Sequence, residues 1–197
     1  MNWKNTESGF GWPAIFFHWL MVLLMVAVYA AMELNSFSAK GSALREAMAN
    51  WHYVLGLSIF ALVWLRLIVN RAGTRPLIEP APGVWQARLA RAGHLALYIL
   101  MIAMPLLGWL ILSAKGKPVL FFGLELPPLM GKNEAYARFF KETHEVIANV
   151  GYGLIGLHVA AALQHHFIKR DNTLALMSPR RGRIRPGNPA RESSERS

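Results

Sequence analysis

Residues 144–158 read "HEVIANVGYGLIGLH". A histidine stands at each end, the interior is almost wholly apolar, and Gly151, Gly153 and Gly156 interrupt it. On an α-helix, fourteen residues rise about 21 Å and turn about 1400°, roughly 40° short of four turns. The two imidazoles therefore leave one face of a helix, near opposite ends of a membrane-length segment. Such a helix needs two partners at two depths.

The rest of the chain has segments of the same kind. Only 16% of the 197 residues are charged, and 54% are hydrophobic. No Asp, Glu, Lys or Arg occurs in 8–32, 47–65, 92–114 or 146–168. A helix crosses the hydrocarbon core with about 20 mostly apolar residues. Four spans follow, at roughly 13–34, 48–69, 92–113 and 145–168. Soluble helices of a buried bundle show a polar face, and these do not. The fold class is all-α: an integral membrane four-helix bundle. The first segment is too long for the apolar core of a signal peptide and lacks a convincing cleavage site after it.

Four spans put both termini on one side, together with the second connection. That side carries 14 Lys and Arg, including Lys4, Arg66, Arg71, Arg75, Arg88 and Arg91; the other carries 7. The positive-inside rule places both termini in the cytoplasm. The basic balance then reflects topology and lipid headgroups, with no nucleic-acid partner.

Trp12-Pro13 marks a helix entry. Residues 35–46 form a short outer loop. Residues 70–91 are extended and irregular, because "RPLIEPAPG" is Pro-rich. In 114–143, "KGKPVLFFGLELPPL" is apolar with turn residues and suited to the bilayer surface, and "KNEAYARFFKETHE" forms an interfacial helix that runs into the fourth span. The functional domain is 1–176. Residues 177–197 form a basic, Pro/Gly-rich, disordered cytoplasmic tail.

All seven histidines lie in or at the ends of the spans, where polar groups are costly and mark function. Depth pairs His52 with His144 on the outer side and His18 with His158 on the inner side. Two facing imidazoles at each of two depths suit two bis-histidine b haems. The chain has no cysteine, so haem attachment is non-covalent. Gly151 and Gly56 would let a flat porphyrin approach the backbone. The rival reading, a zinc or proton-transport site, usually recruits carboxylates, and the charge-free runs hold none. Helical geometry turns His165 to the face of His158, toward the inner pocket, and His166 about 100° away, toward headgroups. His94 reaches the same level, with Tyr98 one turn on. A histidine beside a haem can bond a quinone carbonyl and pass it a proton, so His165 and His94 are candidate quinone residues. Arg66 is a candidate partner for a haem propionate, or a positive-inside anchor.

The stretches "HWL" (18–20), "YAAMEL" (29–34), "GHLALYILMIAMPLLGW" (93–109), "HEVIANVGYGLIGLHVAAALQHHF" (144–167) and "DNTLALM" (171–177) resemble the bacterial cytochrome b561 family. The likeness covers all four spans, and the fourth-helix block with its following "HH" is its most specific part. It implies a multi-pass inner-membrane protein with two b haems. His18 and His158 would ligate the cytoplasmic one, and His52 and His144 the periplasmic one. It implies a ubiquinone site near the cytoplasmic haem, for which His165 is the candidate position. It also implies superoxide:quinone oxidoreductase activity. A positive mouth would favour that anion; Lys115, Lys117, Lys132 and Arg45 are the candidate bases, set against six outer glutamates. The alternative is a cytochrome b anchor and electron conduit for a partner dehydrogenase or hydrogenase. It predicts a docking surface, and the short chain shows no obvious docking helix.

Overall fold

A computed structural model describes residues 3–178. Most of the expected tail lies outside the described residues; its first two residues, Met177 and Ser178, are within them.

Four long helices dominate: α1 (Trp12–Phe37), α2 (Ala43–Arg71), α3 (Val84–Ala114) and α4 (Glu134–Gln164). Each is long and apolar enough to cross a membrane, and little of any of them is buried against protein. That is what lipid-facing helices require, because acyl chains cover apolar side chains as well as a protein core does. The all-α membrane bundle is the observed architecture, with one small addition. Strands β1 (Val119–Phe121) and β2 (Leu124–Leu126) form an antiparallel ribbon. Its two-residue turn holds Phe122 and Gly123, both at positive φ, the geometry of the tight turns that hairpins prefer.

All four helices start or stop outside the expected limits, and the early starts of α2, α3 and α4 have local causes. The 35–46 loop shrinks to 38–42, because Ser42 caps α2 by accepting from the Arg45 N–H. Asn35 and Arg45 then tie the two helices: Asn35 Nδ2 donates to the Arg45 carbonyl at 2.6 Å, and Arg45 Nη1 to the Ser38 carbonyl at 2.9 Å. The 70–91 connection shrinks to 72–83. The Gly83 N–H donates to Gln86 Oε1 and starts α3 earlier, so Arg88, Arg91 and His94 stand on that helix. The expected interfacial helix is continuous with the fourth span, starting where Asn133 Oδ1 accepts from the Ala135 and Tyr136 N–H groups.

The bundle packs as two pairs. Helix α1 packs on α2, α2 on α3, and α3 on α4, but no α4 residue brings its Cα within 8 Å of α1 or α2. The apolar core comes from the first three helices: Met21, Val28, Ile59, Val63 and Met101. Helix α4 stands off from α1 and α2, and the separation leaves internal space beside it.

One end of the bundle, here the terminal end, carries residues 4–11, 72–83 and 170–178. Asn5 is buried there and knits these segments. Its Oδ1 accepts from the Gly11 N–H at 2.9 Å, and its carbonyl accepts from the Thr74 N–H at 3.2 Å. Asn172 clamps the same connection, donating to the Leu77 carbonyl and exchanging bonds with the Glu79 backbone. The opposite, loop end carries 38–42 and the β-ribbon.

Candidate functional site

Four histidines meet across the gap between α4 and the first two helices. His18 on α1 faces His158 on α4, with ring centres 6.4 Å apart. His52 on α2 faces His144 on α4, with ring centres 6.1 Å apart. Metal–imidazole nitrogen bonds are about 2.0–2.1 Å, so two imidazoles on opposite faces of one iron place their ring centres roughly 6 Å apart. Both pairs have that separation.

The pair at the loop end lines a cavity of about 440 Å³. Its walls are mostly apolar, from Met25, Met101, Met104 and Leu112 among others. Gly56 and Gly108 also line it; a Cβ on Gly56 would meet nothing within 4 Å, and one on Gly108 would approach only His144 Cε1, at 3.9 Å. These glycines leave flat wall beside the ligands. Gly151 does not: a Cβ there would lie 2.2 Å from the Tyr29 hydroxyl and 3.3 Å from a Leu100 methyl. It makes room for helix contact, and Tyr29 uses that room to donate to the Ala148 carbonyl at 3.1 Å. This corrects the porphyrin role expected for Gly151.

Hydrogen bonds set the tautomers. His52 Nδ1 lies 3.1 Å from the Val28 carbonyl. A carbonyl only accepts, so Nδ1 carries the hydrogen and Nε2 is bare and able to bind metal, the arrangement usual for metal-bound histidine. His144 Nδ1 is buried without a well-formed bond. The donor set and the lined cavity therefore fit a haem. At the other pair one contact runs the opposite way. Arg66 Nη2 donates to His18 Nδ1 at 3.1 Å. Guanidinium only donates, so neutral His18 carries its hydrogen on Nε2. Iron ligation through Nε2 requires Arg66 to release His18 and the hydrogen to move to Nδ1.

Arg66 is buried. Its other donors reach the Tyr98 hydroxyl at 3.2 Å and the Phe17 carbonyl at 3.3 Å. Asn70 also donates to that hydroxyl, at 2.7 Å. This is a cluster of donors around an arginine that meets no carboxylate in these contacts.

The remaining histidines part company. The His94 ring centre is 5.4 Å from that of His158, and its Nδ1 donates to the Ala90 carbonyl at 2.7 Å. His165 begins a π-helical turn, His165–Lys169, that ends at Arg170 in the left-handed conformation. The turn folds the chain back so that His165 Nδ1 bonds Asp171 Oδ2. Burial raises the Asp171 carboxyl, but hydrogen bonds from His165 and Thr173 outweigh it and hold the group below its usual range. His166 is exposed and packs edge-on against Phe167.

Of the expected bases, Lys115 and Lys117 line the loop-end cavity, and Lys132 and Arg45 do not. Lys132 lies 3.8 Å from Glu134 in an exposed ion pair, and Arg45 holds the Ser38 carbonyl. Sequence reasoning missed Lys141, which also lines the cavity and pairs with Glu145 at 2.7 Å. Its signal was available: it lies three residues before His144, on the same helix face. Asp171 was missed because only the π-turn brings it to His165.

The family model for prokaryotic cytochrome b561 matches residues 9–180. The chain belongs to the prokaryotic cytochrome b561 family. Among its relatives is "Cytochrome b561 homolog 1" of Escherichia coli (strain K12), 40% identical over 167 residues, covering 85% of this chain and 95% of the relative. The "Probable superoxide oxidase CybB" of Yersinia pestis is 35% identical over 164 residues, 83% of this chain and 92% of the relative. "Cytochrome b561 homolog 2" of Escherichia coli (strain K12) is 32% identical over 183 residues, 90% and 95%. As a cytochrome b561, the protein is a multi-pass inner-membrane electron carrier of a family that binds haem b.

Proposed function

We propose that this cytochrome b561 holds two b haems and oxidises superoxide at its loop end while reducing ubiquinone at its terminal end. The observation that carries the reading is the geometry of the histidines: two facing pairs at haem spacing, fourteen residues apart on α4. The charge count supports a cytoplasmic terminal end and a periplasmic loop end. His52 and His144 hold the periplasmic haem, and His18 and His158 the cytoplasmic one. When bound, the haems supply one-electron carriage between the two sites.

Lys115, Lys117 and Lys141 outnumber Glu33 and Glu145 in the cavity lining, a balance that favours a small anion there. Each of two superoxide ions loses one electron and leaves as dioxygen. One quinone takes both electrons and two protons to become the quinol. His165 and His94 are the groups suited to bond the quinone carbonyls and hand on the protons. Arg66 and Tyr98 supply donors for a propionate once Arg66 has left His18. The relative called a probable superoxide oxidase supports the same reading.

The test is to mix the oxidised, haem-loaded protein rapidly with superoxide, record the haem spectrum, and follow with quinone. Fast reduction reversed by quinone is expected. A b-type spectrum without fast reduction would move the donor to a partner redox protein, as in a dehydrogenase or hydrogenase anchor subunit. Absence of a b-type spectrum would remove the haem assignment itself.

A further inference from the structure

We propose that the β-ribbon at 119–126 is a membrane-interface anchor. Its exposed apolar side chains, Leu120, Phe122 and Leu124, would rest on the lipid leaflet at the loop end, and Val119 on its inner side lines the histidine cavity.

The inner face is settled by packing. Val119 is 2% exposed and joins Leu57 and Leu112 in a buried cluster, with Trp109, Phe121 and Leu126 against it. Val119 also lines the cavity. Leu57 stands five residues inward of His52 on α2, about 7–8 Å of helix. Val119 thus packs between α2 and α3, beside the cavity that His52 and His144 also line. A bond from Trp109 Nε1 to the Pro127 carbonyl, 3.1 Å, fixes the far end of the ribbon.

By the strand register the outer face carries Leu120 and the exposed Glu125, whose carboxylate needs water or headgroups, while Phe122 and Leu124 stand exposed at the turn end. Leu120, Phe122 and Leu124 are 51%, 74% and 65% exposed. Phe122 holds its ring out from a backbone at φ 48°, a conformation uncommon outside glycine. A strained backbone carrying a large exposed apolar group is poorly explained by water on that face. The hydrocarbon core does not suit it either. Among the described residues each strand pairs only with the other, which leaves the outward N–H and C=O groups of both edges to find partners that hydrocarbon does not supply. The boundary between headgroups and acyl chains meets both demands. Water and headgroups satisfy the edges, and acyl chains cover the three side chains. The ribbon packs on two helices whose outer faces already meet lipid, so its outer face continues an existing bilayer surface.

The chain has no cysteine, so a single engineered one takes a nitroxide label at one place only. Full-length, haem-loaded Phe122→Cys protein would be labelled and reconstituted in phosphatidylethanolamine–phosphatidylglycerol vesicles. Relaxation by oxygen, which partitions into lipid, is then compared with relaxation by a water-soluble nickel chelate. Leu23→Cys, an exposed position within α1, is the lipid reference, and Lys40→Cys in the 38–42 loop is the aqueous one. The oxygen-to-nickel ratio at 122 is expected to be several-fold above that at 40, toward the value at 23. A ratio equal to that at 40 overturns the proposal in favour of a water-facing ribbon. A label shielded from both reagents overturns it in favour of a covering protein, a second copy or a partner. Leu120→Cys and Leu124→Cys carry the same test should Phe122→Cys not fold.

Discussion

At the scale of single residues, the four paired histidines have separable consequences. Each sits in one pair, so on the proposed two-haem reading removing one of these histidines should empty one site and leave the other. His144→Ala and His158→Ala are each expected to lower haem content from two per chain to one, by pyridine haemochromogen assay. Loss of both haems from either variant would mean that the pairs do not load independently. Gly151 has a different consequence. A Cβ there must displace the Tyr29 hydroxyl at 2.2 Å, and overpacking of this kind costs about 1–3 kcal/mol. Gly151→Ala should lower the unfolding temperature in detergent. Adding Tyr29→Phe removes the clashing oxygen and should restore part of the loss, a coupling that a double-mutant cycle measures.

At the scale of elements, the π-turn after α4 decides what His165 can do. A regular helix would carry His165 onward on the His158 face. The turn ends it, and the left-handed Arg170 returns the chain so that Asp171 meets His165. The folded-state pKa of Asp171 is depressed. Its stabilising contribution is therefore present above the ordinary aspartate value and fades as pH falls through the folded one. Asp171→Asn should loosen 165–177 at neutral pH, seen as faster amide exchange there. The wild-type segment should approach the same behaviour only in acid. Equal exchange in both proteins at pH 7 would show that the carboxylate does not hold the turn.

For the whole molecule, the arrangement of charge around the loop-end cavity matters more than net charge. Lys115 and Lys117 from the connection after α3 and Lys141 from α4 converge on one cavity, where Glu33 and the exposed Lys141–Glu145 pair temper the field. Lys115→Glu with Lys117→Glu is expected to slow haem reduction by superoxide about ten-fold at low salt, within the range of electrostatic steering. The difference should shrink as salt screens the field. An unchanged rate would mean that these lysines do not steer the substrate. An unchanged salt slope in the variant would point to other charges.

Sequence by itself determined the four spans, because charge-free length is a local property and the bilayer imposes it. It also determined the facing of His144 and His158, because helical turn per residue is fixed. The likeness of its stretches to the cytochrome b561 family was equally legible. Tertiary structure decided what depends on approach between distant segments. Gly151 reads as porphyrin room in sequence but faces the Tyr29 hydroxyl. Lys132 and Arg45 read as equivalent to Lys115, yet neighbours turn them away from the cavity. Arg66 reads as an anchor or a propionate partner, but its contact with His18 Nδ1 sets the tautomer of that histidine. The stretch at 119–126 reads as suited to the bilayer surface, and only packing on Leu57 and Leu112 brings its Val119 to the cavity wall. Local periodicity carries no information about which distant group fills the space beside a side chain, and only the packed chain supplies it.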